Sequence, residues 1–132
     1  MIYTNSDGGS RGNPGIAAIG IIVRKDNEIL TAYSEKIGET TNNTAEYKAL
    51  IKAMELASTY TKDEVTCILD SELVVKQLLG EYSVKSPKLR PFFLKVQKLQ
   101  ENFNKVSYVH KSREDKFQKV VDRLLNDEMD NL

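Results

Sequence analysis

Near residue 44 the spacing of apolar residues changes character, and that change limits the folds open to this chain. Before it, the pattern is strand-like. Met1–Asp7 reads as a strand, Ile16–Arg24 as a long apolar strand, and Glu28–Ile37 as a third, with Ile29, Thr31, Tyr33, Glu35 and Ile37 on one face. Turn formers separate them: the cluster Asp7-Gly8-Gly9-Ser10-Arg11-Gly12-Asn13-Pro14-Gly15, then Asp26-Asn27. Thr40–Thr44 is polar and turn-like. From Ala45 to about Ser58 the period is helical, with Ala45, Ala49, Ala53, Leu56 and Ala57 on one stripe.

The rest alternates. Glu64–Leu69 is a short strand, and Ser71–Leu79 a helix closed by Gly80. Pro87 and Pro91 delay the next helix to about Arg90, and its stripe is Phe92, Val96, Leu99 and Phe103. Lys105–His110 is a last strand. Ser112 and Asp115 are caps for a final helix that buries Phe117, Val120, Val121, Leu124 and Leu125. The order is β-β-β-α-β-α-α-β-α, an α/β chain. Strands joined by short turns pair antiparallel, whereas strands separated by helices pair in parallel through right-handed crossovers. The first strand is therefore expected beside the fourth. No repeat or linker interrupts the pattern, so residues 1–132 are expected to form a single domain.

Composition removes several classes of function. No apolar run is long enough to span a membrane, and Met1-Ile2-Tyr3-Thr4 lacks the basic and apolar regions of a signal peptide. A cytoplasmic protein is the expectation, with no membrane partner. The single cysteine, Cys67, is expected as core filler. One Cys and one His, His110, cannot build a Cys/His zinc cage within one chain. A resident metal would need carboxylates, which points to Mg²⁺ or Mn²⁺. Nineteen basic residues balance 19 acidic ones, so total charge does not itself point to a nucleic acid.

Four acids stand at places where the topology brings chain segments together. Asp7 ends the first strand and Asp70 the fourth. In parallel neighbours both emerge at the carboxyl edge, where open α/β sheets bind ligands. Glu46 lies at the start of the helix before strand four, and Asp122 lies just off the apolar stripe of the last helix. Each has a structural explanation when taken alone. Asp7 can stabilise a turn, Asp70 can cap the helix at Ser71, Glu46 can complete a capping box with Asn43 as N-cap, and Asp122 can be a solvated partner of Arg123. Together they would repel one another without protons or cations to compensate. Such a group suits two divalent cations roughly 4 Å apart, as in two-metal nucleases.

The residues around these acids resemble a known family. Asp7-Gly8-Gly9-Ser10-Arg11-Gly12-Asn13-Pro14-Gly15, then Thr41-Asn42-Asn43-Thr44-Ala45-Glu46, then Leu69-Asp70-Ser71-Glu72-Leu73-Val74 are similar to the first three motifs of type 1 ribonuclease H, in order and suitably separated. Val121-Asp122-Arg123-Leu124-Leu125-Asn126 keeps the Asp, Leu and Asn of the fourth, with Val121 and Leu125 in place of the usual small residues. His110 precedes Asp122 by twelve positions, without the Pro and Asn common between them. The segment from Lys85 to Asn102 lacks the extra basic helix of some members and resembles the short bacterial and archaeal forms.

The resemblance implies a ribonuclease H-like fold: a five-stranded mixed sheet of order 3-2-1-4-5 with helices on both faces. It implies hydrolysis of the RNA strand of RNA–DNA hybrids, leaving 5′-phosphate and 3′-hydroxyl ends. It makes Asp7, Glu46, Asp70 and Asp122 ligands of two Mg²⁺ ions, or Mn²⁺ as substitute. By the same resemblance His110 shuttles protons, with Glu114 and Asp115 as substitutes in the same loop. Gly8, Gly9, Ser10, Asn13, Asn42, Asn43 and Ser71 would contact the duplex, and Thr41 a DNA phosphate. Lys76, Lys85, Lys88 and Arg90 are further candidates for holding the duplex. A monomer is the expected state. Double-stranded RNA, RNA–DNA junctions and a catalytically silent binding module are the alternatives.

Overall fold

The structure, a computed structural model, describes residues 1–131. Nine elements follow in the expected order: β1 (Ile2–Gly12), β2 (Gly15–Lys25), β3 (Glu28–Thr40), α1 (Asn42–Ala57), β4 (Glu64–Leu69), α2 (Glu72–Leu78), α3 (Arg90–Gln100), β5 (Lys105–His110) and α4 (Lys116–Asp130). The strands form one sheet of order β3-β2-β1-β4-β5. β1 and β3 flank β2 antiparallel, whereas β4 is parallel to both β1 and β5. This is the mixed sheet expected from the sequence.

The long apolar run of β2 has a simple cause: both of its faces are covered. Ile19 and Ile21 meet Ala49 and Ala53 of α1 on one face. Ala18 and Ile22 meet Val121, Leu125 and Met129 of α4 on the other. The larger core lies between α1, α2, α3 and the β4–β5 half of the sheet, with Tyr47, Leu50, Met54, Val65, Cys67, Leu69, Val74 and Val96 buried in it. Cys67 is the expected filler.

Three boundaries differ from the sequence reading, each for a local reason. β1 continues through the glycine-rich segment to Gly12, because β2 supplies a ladder partner for every residue down to the Gly12–Gly15 pair. The turn is only Asn13-Pro14, whose peptide bond is cis. Secondly, α1 starts at Asn42, with Thr41 rather than Asn43 as its N-cap. The Thr41 hydroxyl accepts the Thr44 N–H at 3.3 Å. Asn42 is drawn into the helix because Asn13 Oδ1 accepts its N–H at 3.0 Å. Glu46 is then beyond the first turn and completes no capping box. Thirdly, the register of β3 slips at both ends, between Ala17 and Ala18 and between Val23 and Arg24 on its partner. The five residues assigned to one face therefore do not keep a single alternation, and Ile29 is exposed.

Candidate active site

The parallel ladder between β1 and β4 ends at the Ser6–Leu69 pair. Asp7 and Asp70 are thus the next residue on each strand. They emerge side by side although β1 itself runs on. Glu46 reaches them from α1. Ligand oxygens of Asp7, Glu46 and Asp70 all lie within 4.8 Å of one another.

Two glycines set the distances of the helices that carry the other acids. A Cβ on Gly8 would stand 2.2 Å from the Ala45 carbonyl oxygen, so only glycine lets α1 lie this close to β1. At that separation the Gly8 N–H donates to Glu46 Oε1 at 3.0 Å. On the opposite face, a Cβ on Gly20 would stand 2.4 Å from the Val121 carbonyl oxygen. Gly20 therefore admits α4, and Asp122 with it.

The electrostatics of this group are unfavourable as it stands. Asp7 is 3% and Glu46 7% exposed. Glu46 Oε2 is buried without a hydrogen-bond partner. Burial, then the neighbouring Glu46, pushes the Asp7 carboxyl far above the ordinary carboxylate range. Burial raises Glu46 as well, with Asp70 adding to the effect, while Asp7 and the Gly8 N–H oppose it by hydrogen bonding. A buried carboxylate oxygen without a donor, beside two further acids, is a poor arrangement for stability. Hard oxygen ligands held within a few ångströms fit a hard divalent cation.

Asp122 is not part of the close trio. Its Oδ1 is tied to Asn126 Nδ2 at 3.3 Å. The connection between Asp122 and Asp70 is instead basic. Arg113 Nε lies 3.6 Å from Asp70 Oδ2 and 3.6 Å from Asp122 Oδ1. The sequence reading passed over Arg113 in favour of its neighbours, and neither of those faces the acids in a pair. Glu114 is highly exposed and pairs with Lys119, and Asp115 is the N-cap of α4 and pairs with Lys111. His110 ends β5 at the rim, exposed, with Nε2 3.2 Å from the Asp70 carbonyl oxygen.

The residues expected to touch a duplex divide into two groups. Asn42 Oδ1 accepts from the Ser10 N–H at 2.8 Å and from the Ser10 hydroxyl at 3.0 Å. With the Asn13–Asn42 bond, this ties the β1–β2 hairpin to the start of α1. Asn13, Asn42 and Ser10 thus form one rigid polar rim, next to the buried Gly8 and the half-buried Gly9 and Asn43. Ser71 and Thr41 are spent differently. Ser71 Oγ accepts the Val74 N–H at 3.2 Å as N-cap of α2, and Thr41 caps α1. Lys76 is paired with Glu72 at 2.9 Å.

Comparison with known proteins agrees with this geometry. Residues 5–127 match the family described as reverse transcriptase-like. Ribonuclease HI of Halobacterium salinarum is 37% identical over 131 residues, which cover 98% of this chain and 65% of that protein. A bifunctional protein of Mycobacterium tuberculosis is 37% identical over 133 residues, covering 98% of this chain and 35% of that protein. The chain thus spans about a third of the mycobacterial relative and about two thirds of the halobacterial one. Among solved structures, LC11-RNase H1 in complex with an RNA/DNA hybrid superposes with a TM-score of 0.92 at 38% identity, covering 98% of this chain and 97% of that one. RNase H1 from the halophilic archaeon Halobacterium salinarum gives 0.92 at 36% identity, covering 99% and 98%. The 3-2-1-4-5 sheet, the acids it gathers at one edge and these similarities agree: the chain belongs to the reverse transcriptase-like family, in the branch that holds the type 1 ribonucleases H.

Proposed function

We propose that this chain is an endonuclease that hydrolyses the RNA strand of RNA–DNA hybrids, leaving 5′-phosphate and 3′-hydroxyl ends. The observation that carries the proposal is the approach of Asp7, Glu46 and Asp70 to within 4.8 Å, with a buried Glu46 oxygen left unpartnered. The hybrid bound by LC11-RNase H1, a structural neighbour over nearly its whole length, supports the substrate.

Asp7, Glu46, Asp70 and Asp122 would together hold two divalent cations, Mg²⁺ being the natural choice and Mn²⁺ a substitute. When bound, such cations lower the pKa of an attacking water and stabilise charge on the leaving 3′-oxygen. The chain's own residues do the positioning. Gly8 N–H fixes the carboxylate of Glu46 from below. Asn126 restrains Asp122. The Ser10–Asn13–Asn42 rim spends its side-chain carbonyl oxygens internally, which leaves the Asn13 and Asn42 amide N–H₂ groups as donors for minor-groove atoms, where the 2′-hydroxyl marks the RNA strand. His110, exposed beside Asp70, would shuttle protons, as the family resemblance implies. Residues 1–132 would form a single domain, acting in the cytoplasm as a monomer.

Incubation of the protein with labelled hybrid, double-stranded RNA and double-stranded DNA, in Mg²⁺ or EDTA, tests the reading. Cation-dependent cleavage confined to the RNA of the hybrid is the expected result. Cleavage of double-stranded RNA or of a junction would shift the substrate. Binding without cleavage in Mg²⁺ and Mn²⁺ alike would leave only a binding module. Asp70→Asn should fold normally and lose roughly a thousandfold or more in rate.

A further inference from the structure

On the face of the sheet that α4 covers, the molecule has a cavity of about 330 Å³. Its walls come from β1, the end of β2, the β5–α4 loop and the start of α4, and none of Asp7, Glu46, Asp70 and Asp122 lines it. Arg24 does line it, although that residue is only 6% exposed. The fold fixes the Arg24 guanidinium firmly. Nε donates to Asn5 Oδ1, Nη1 donates to the Asp26 carbonyl, and the group lies over the rings of Tyr3 and Phe117. Nη2 is left over, with no hydrogen-bond partner among the described residues. The side-chain atoms sealed in without a partner are Thr4 Oγ1, Ser6 Oγ and Glu46 Oε2, so Nη2 keeps access to solvent. The cavity that Arg24 lines supplies that access.

We infer that this cavity is a binding site for a phosphate group, held by Arg24 Nη2 and Lys116 Nζ. Lys116 also lines the cavity, pairs with no acid among the described residues, and has its Nζ 5.3 Å from the centre of the same Phe117 ring. The two acids of the cavity wall are already engaged. Asp115 Oδ2 accepts the Phe117 and Gln118 N–H groups, and its Oδ1 lies 3.8 Å from Lys111 Nζ. Asp26 Oδ1 lies 3.8 Å from the N-terminal amine. The uncommitted charges are therefore both positive. A phosphate offers separate anionic oxygens to two cations at once, and charge-assisted bonds of this kind are the strong ones. The guanidinium needs no further ordering to make its share, because its rings and its other two nitrogens already hold it. Fixing Arg24 serves the fold; the nitrogen left over serves the ligand.

Titration of the whole ¹⁵N-labelled protein with inorganic phosphate in EDTA, followed by NMR, tests the site with Arg24 left in place. The Arg24 Nε–H resonance and the Lys116 and Phe117 amides should shift saturably, half-saturating on the order of 1 mM. Sodium chloride at matched ionic strength should not reproduce the shifts. Lys116→Gln, an exposed position at the start of α4, should weaken binding about fivefold and leave the fold intact. Lys98→Gln, on α3, should leave binding unchanged. Shifts that never saturate, or that chloride reproduces, would overturn the site. Saturable binding that Lys116→Gln leaves untouched would overturn it too, since the phosphate would not then lie between the two cations. A hybrid duplex added in EDTA identifies the source of the phosphate once the site is found. Movement of the same resonances, reversed by free phosphate, would assign a backbone phosphate to the cavity. Unmoved resonances would assign it free phosphate or a phosphomonoester.

Discussion

Two buried charges on neighbouring strands are treated in opposite ways. Arg24 on β2 is 6% exposed and Asp7 on β1 is 3% exposed. Around Arg24 the protein supplies partners. Its Nε donates to Asn5 Oδ1 at 2.9 Å, and its Nη1 donates to the Asp26 carbonyl at 2.5 Å. Its guanidinium lies over the rings of Tyr3 and Phe117, 4.4 and 4.0 Å from their centroids. Asn5 is fixed in turn by Gln118, whose amide also donates to the Ser6 carbonyl at 3.3 Å. Around Asp7 the protein supplies more negative charge. A buried charge with partners is a structural device, whereas a buried charge facing like charges is stabilised only by something from outside.

The sharpest test of that difference is a pair of substitutions. Asp7→Asn removes a buried acid that, without a cation, must hold its proton against burial and its acidic neighbours, and it keeps the shape. It should abolish cleavage, with a loss of roughly a thousandfold or more, while the metal-free protein melts no lower than wild type. Arg24→Met keeps much of the bulk but leaves Asn5 Oδ1 and the Asp26 carbonyl without their donor. It should cost about 2–4 kcal/mol of stability and leave the cleavage rate of the folded fraction near wild type. Urea unfolding in EDTA, beside single-turnover cleavage in Mg²⁺, measures both. Equal destabilisation by the two variants would erase the distinction.

The sequence displayed one of these regions far better than the other. Asp7, Glu46 and Asp70 were legible because turn formers, helix signals and motif order flank them. Element order and sheet topology followed from the change in hydrophobic period at about residue 44. Boundaries were not legible where tertiary partners decide them. Gly8 to Gly12 has turn composition, yet β2 recruits it into a strand. Asn42 is helical because Asn13, across the hairpin, holds its N–H. Arg24 read as the polar end of a strand, since nothing local announces that Tyr3 and Phe117 will enclose it. Gly20 carried one usable signal: a lone glycine inside an apolar strand often marks close backbone approach, here that of α4. Arg113 carried none, because its two partners come from β4 and α4.

A smaller effect probes how finely the acids are held. Gly8→Ala places a methyl group where the Ala45 carbonyl now lies, with a separation of 2.2 Å that backbone must yield to. α1 would be pushed away from β1, and Glu46 with it. A displacement near 1 Å at a reacting centre can cost about a hundredfold in rate, and that is the expected loss. Crystallography of the variant should show α1 displaced while the distant Arg24 cluster is unmoved. Wild-type activity in Gly8→Ala would mean that the position of Glu46 is not critical.

The mildest probe is pH, and it separates the two regions without any mutation. Asp7 and Glu46 have folded-state pKa values raised above their ordinary values of 3.8 and 4.5, with burial the largest cause for each. An acid raised in the folded state holds its proton after the unfolded chain has released it. The folded state then binds more protons, and stability falls as pH rises. The window opens at the ordinary carboxylate values and runs upward through neutrality. Within it, each group contributes a slope of at most about 1.4 kcal/mol per pH unit, against which Arg113, facing Asp70 and Asp122, offers partial relief. The opposite sign, stability gained as pH rises, is the usual result for carboxylates paired with cations. Divalent cations should convert the first behaviour into the second, because they bind the ionised acids and draw their pKa values down. Urea unfolding from pH 5 to pH 8, in EDTA and in Mg²⁺, should therefore give a falling curve and a flat or rising one. Asp7→Asn should flatten the EDTA curve. Two parallel curves would mean that the acids at this edge are neither strained by their neighbours nor relieved by a cation, and the contrast with Arg24 would lose its physical basis.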